Sequence, residues 1–241
     1  VTQIILPCNE QLLAGVEIIS YEFANMQGKL PVLKDNFEKV NKIVESNKID
    51  RNKLLECLRK DVTLSLLTLK YALEKDKKCF NLPKALESLS DEELKFIFSD
   101  SNPTSELIST TAELNNIWQH AYKTAYFAYN IYKNRDEKTL EIDDEGMFLL
   151  GMLNTIGTLL IQTASEEQKR YVIDLSNQYD GLSDKIQDVF NLGNANNYLS
   201  LIYAKKYGFA DNISSIFNTW NLLDNIPNEK LWEVHIARKE K

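Results

Sequence analysis

Apolar residues recur along most of the chain at three- and four-residue spacing, and strict alternation is scarce. From Asp35, the positions Phe37, Val40, Ile43 and Val44 mark one face of a helix that stops at Ser46-Asn47-Lys48. Asp50 can cap a second helix carrying Leu54, Leu55 and Leu58, and Asp61 precedes a third, with Leu64, Leu66, Leu67 and Leu69, that reaches about Leu73. Pro83 suits a helix start ahead of Ala85, Leu86 and Leu89. Ser90 and Glu93 form a capping-box pattern before Leu94, Phe96, Ile97 and Phe98, and the acidic run Asp91-Glu92-Glu93 complements the positive end of that helix rather than marking a metal cluster.

The second half reads the same way. In ELNNIWQHAYKTAYFAYNIY, the residues Ile117, His120, Ala121, Thr124, Ala125 and Ala128 share one face, with Trp118, Tyr122 and Tyr129 beside it. The longest apolar run, EGMFLLGMLNTIGTLLI from Glu145 to Ile161, predicts a central apolar helix capped by Asp143 and Asp144. It contains two polar residues, Asn154 and Thr155, where such a helix needs none. Further helices are expected over Glu166 to Gln178, Lys185 to Leu192, Asn194 to Tyr207 and from Asp211, the last carrying Ile213, Ile216, Phe217 and Trp220.

The expected fold is therefore all-α, without internal repeats. Residues 1–28 form a lead-in that fits either a short strand or a helix and ends at the break marked by Gly28 and Pro31. The stretch Ser99 to Ser105, with Asn102 and Pro103, is the clearest linker, which divides the rest into helical subdomains at 29–102 and 103–241. Composition agrees: only 8 Gly and 5 Pro leave little turn chemistry for a strand-rich fold. The formal charge of −7 argues against nucleic acid as a partner. Cys8, Cys57 and Cys79 are odd in number and widely spaced, so they read as reduced thiols in a cytoplasmic protein. No signal peptide is expected, and the run from Met147 to Ile161 is short of the roughly 18 to 20 residues that a bilayer helix needs, so no membrane span is expected.

Five segments in order resemble the HDOD domain, a divergent relative of the HD metal-dependent phosphohydrolases found in bacterial signalling proteins. They are LPVLKDNFEKVNKIV, LLECLRKDVTLSLLTLKYA, KALESLSDEELKFIF, IWQHAYKTAYFA and FLLGMLNTIGTLLI, spanning about Leu30 to Leu223 when the later YGFADNISSIFNTW is included. The specific matches are Trp118, His120, Gly151, Ile156 and Gly157. The resemblance implies an HD-like helical bundle and a role in signal transduction.

The departures fall where the hydrolases hold their metal. Asn154 and Thr155 occupy the positions of the adjacent His and Asp, Thr158 replaces the Lys that often follows, and Thr219 and Trp220 stand where paired His would be. Lys70 and Tyr71 replace the usual Asn-Ser of the family. Of the metal-binding pattern only His120 remains, and the chain's other His is His235. A hydrolytic site needs a cation to lower the pKa of bound water. An amide and a hydroxyl do not supply that coordination. Even outer-shell losses cost about 10 to 100-fold in metal affinity, roughly 1.4 to 2.7 kcal/mol each. His120 is accordingly expected to be structural, its ring packed between helices and bonded to backbone or to Asn154. Trp118 and Trp220 read as core anchors.

No phosphate loop, nucleophile elbow or Cys–His pair appears. The expectation is a non-catalytic module, without cofactor or metal, that acts through protein partners. The alternatives are a residual phosphohydrolase, or a nucleotide-binding module that uses the old cavity.

Overall fold

Fourteen residues from Val62 to Lys75 lie at the centre of the structure, and ten of them, Val62 to Leu69 with Ala72 and Leu73, are buried. A helix buried all round belongs in the interior of a bundle, and the others wrap it. The structure is a computed structural model that describes residues 19–26, 30–99, 105–108, 111–135, 142–177 and 196–209. In order these form α1 (19–26), β1 (Leu30–Leu33), α2 (Lys34–Val44), α3 (Arg51–Leu58), α4 (Val62–Lys75), α5 (Leu82–Ser88), α6 (Asp91–Ile97), β2 (Ser105–Ile108), α7 (Ala112–Lys133), α8 (Asp144–Leu153), α9 (Ile156–Thr163), α10 (Glu166–Ser176) and α11 (Asn196–Lys206). The fold is mostly helical, as the spacing predicts. The helices expected over Lys185 to Leu192 and from Asp211 lie outside the described residues.

The capping residues do what their positions suggest. Asp50 accepts from Lys53 N at 3.1 Å, Asn81 from Lys84 N at 2.9 Å and Asp143 from Gly146 N at 2.8 Å. At α6, Ser90 Oγ accepts from Glu93 N while Glu93 Oε2 accepts from Ser90 N, and Lys75 Nζ reaches the same carboxylate at 2.6 Å. Lys75, then the Ser90 amide, hold the Glu93 carboxyl below its ordinary range. Replacing Ser90 with Ala orphans the Glu93 amide, so the urea midpoint is expected to fall by the equivalent of about 1 kcal/mol.

Two short strands qualify the helical reading. β1 and β2 pair in parallel, Leu30 opposite Ser105 through Leu33 opposite Ile108. Leu30 to Leu33 is thus a strand that leads into α2, not the first turn of that helix, and β2 begins where the linker was expected to end. Pro31 is tolerated because a two-stranded sheet has only edge strands. Thr63 Oγ1 donates to Pro31 O at 2.8 Å and anchors β1 to α4.

α7 and α8 run antiparallel and touch closely. Tyr132 Oη donates to Ile142 O at 3.1 Å at one end, and farther along Gly151 lies against Thr124, Ala125 and Ala128. A β-carbon at Gly151 would lie 2.8 Å from Ala125 Cα, so glycine is what lets the helices meet. Arg59 clips the start of α8 to the end of α3, with Nη2 2.6 Å from Glu145 Oε1 and its guanidinium over the Phe148 ring.

The long apolar run is two helices, not one. At the end of α8 the Thr155 hydroxyl donates to Met152 O at 2.7 Å and Ser200 Oγ of α11 donates to Leu153 O at 3.2 Å. These bonds satisfy carbonyls that would otherwise be orphaned at a buried helix end. By length and composition alone Asp144–Thr163 could cross a membrane, but 72% of its apolar window is buried inside the fold, as befits core helices.

Candidate functional site

The candidate site comprises the positions where the hydrolases hold metal, and the structure describes three of them, His120, Asn154 and Thr155. Asn154 and Thr155 sit at the α8–α9 junction, only 6% and 4% exposed. Their backbone amides close the last turn, Asn154 N to Leu150 O and Thr155 N to Met152 O, and the Thr155 hydroxyl is spent on the same carbonyl. This junction ends a helix and seats α11.

His120 corrects an expectation. Its ring does not pack between helices; the side chain is exposed. The buried residues of α7 are Trp118, Ala121, Ala125 and Tyr132. At 3.6 residues per turn, His120 falls off that inner line on the flank turned to solvent. An exposed imidazole, a buried amide and a buried hydroxyl do not make up the donor set of a metal site. Among the described residues no group of three or more His, Cys, Asp and Glu could hold a metal ion. Thr219 and Trp220 lie outside the described residues, while Trp118 is a core anchor at 2% exposure.

At the positions of the family's Asn-Ser, Lys70 and Tyr71 belong to a cation–aromatic cluster. The Lys70 ammonium lies 5.4 Å from the Tyr71 ring and 5.7 Å from the Tyr207 ring, and Tyr203 stacks on Tyr207 at 6.1 Å. Burial pushes both phenols, Tyr203 and Tyr207, well above the ordinary tyrosine range. Neutral and packed, these rings hold α11 against α4.

The most unusual group is one that the sequence shows only as a helix cap. Asp61 is 0% exposed. Its Oδ1 accepts from Thr63 N at 3.1 Å and Leu64 N at 3.0 Å, and its Oδ2 from Asn36 Nδ2 at 2.7 Å. The Trp118 indole also favours the charged carboxylate, although its Nε1 completes no hydrogen bond of normal geometry. Desolvation outweighs these donors and raises the Asp61 carboxyl above its ordinary value. Asp61 therefore joins α2, α4 and α7 at one buried point. The available signal was an aspartate opening a segment, VTLSLLTL, without a charge in it; Asn36 and Trp118 are too distant in sequence to be paired with it.

Asp143 shows the opposite balance. Burial pushes it up, but the Gly146 amide, Asn81 and Lys84 together hold it below the usual carboxylate range. It ties α5 to the start of α8, with Asn81 Nδ2 at 2.8 Å, and Lys84 Nζ is 3.3 Å away. Its three neighbours are donors, which suits a cap rather than a catalytic acid.

A helical, HD-like scaffold with Asn and Thr at the ligand positions is what these observations define. The family model for the HDOD domain matches residues 30–218, and the chain belongs to that family. It is also similar to an "Uncharacterized protein" of Treponema pallidum (strain Nichols), 20% identical over 171 residues, covering 69% of this chain and 33% of the relative. The chain thus spans about a third of the length of the curated relative it matches. No solved structure matches it.

Proposed function

We propose that the chain is a non-catalytic signalling module that acts in the cytoplasm by binding other proteins, with neither nucleic acid nor membrane as its target. Membership of the HDOD family supports a signalling role. The observation that carries the non-catalytic part is the state of Asn154 and Thr155: both are buried and neutral, their backbone amides close the last turn of α8, and the Thr155 hydroxyl is bonded to Met152 O. His120 differs from both in being exposed.

The test is elemental analysis of the purified chain together with a phosphodiesterase assay on cyclic dinucleotides and a chromogenic diester under added manganese. The expected result is less than stoichiometric metal and no turnover above buffer. Turnover that disappears in His120→Ala would overturn the reading, since an exposed structural histidine has no effect on hydrolysis.

A further inference from the structure

We draw no further inference here: the strongest candidate, the exposed surface patch of Tyr126, Phe127 and Ile131 on α7, carries none because nothing in the structure shows what covers it.

Discussion

Asp61→Ala is expected to lower the unfolding free energy by about 3 to 5 kcal/mol, near the upper end of what one substitution does. The change removes the acceptor for two buried amides, Thr63 N and Leu64 N, and for the Asn36 amide. Each orphaned donor costs about 1 to 3 kcal/mol, and loss of a desolvated charge recovers part of the sum. A urea titration measures it, and a loss under about 1 kcal/mol would mean that the buried junction is not a keystone. Asp61→Asn should be far milder, because an amide oxygen can still cap α4 while Asn36 turns its own oxygen toward the new amide. The pair also carries a pH signature. A carboxyl whose folded pKa is raised contributes fully below its unfolded value of about 3.9 and loses that contribution as pH rises through the folded value. The stability of the wild type relative to Asp61→Asn should therefore fall from about pH 4 toward neutrality. A difference that grows with pH would show the surrounding donors, not burial, to be dominant.

Gly151→Val is expected to cost about 3 kcal/mol or more, read as a drop in melting temperature. The first added carbon already meets backbone, at 2.8 Å from Ala125 Cα and 3.0 Å from Thr124 O, so no side-chain rotation relieves it. The methyls of valine add to a clash that only separation of α7 from α8 resolves. Gly151→Ala should be gentler: alanine gains roughly 1 kcal/mol in helix propensity against a forced shift of similar or larger size, leaving a small net loss. Stabilisation by alanine would mean that the two helices can part freely.

Most helices were legible because their apolar residues keep a helical period and their caps are polar residues in the right places: Asp50, Asp61, Ser90 and Asp143. The strand pair was not. LPVL and SELI are four residues each, too short to show alternation, and each finds its mate only across most of the first half of the chain. Asn154 and Thr155 stood out at once, as polar residues in an apolar run. Their use as a helix stop depends on Ser200, whose approach no local pattern announces. The orientation of His120 failed by helical phase: its neighbour Ala121 is buried, and small residues on several sides of α7 blur which line faces inward. Burial of Asp61 could not be read because a cap is ordinarily wetted, and what dries this one is packing from remote segments.

The parallel pairing of Leu30–Leu33 with Ser105–Ile108 also constrains how the molecule comes into being. A nascent chain that has emerged only as far as the first six helices holds β1 with its hydrogen-bonding edge exposed, in a state open to wrong partners. Closure of the sheet has to await Ser105–Ile108, so a fragment ending at residue 102 would leave β1 without its mate.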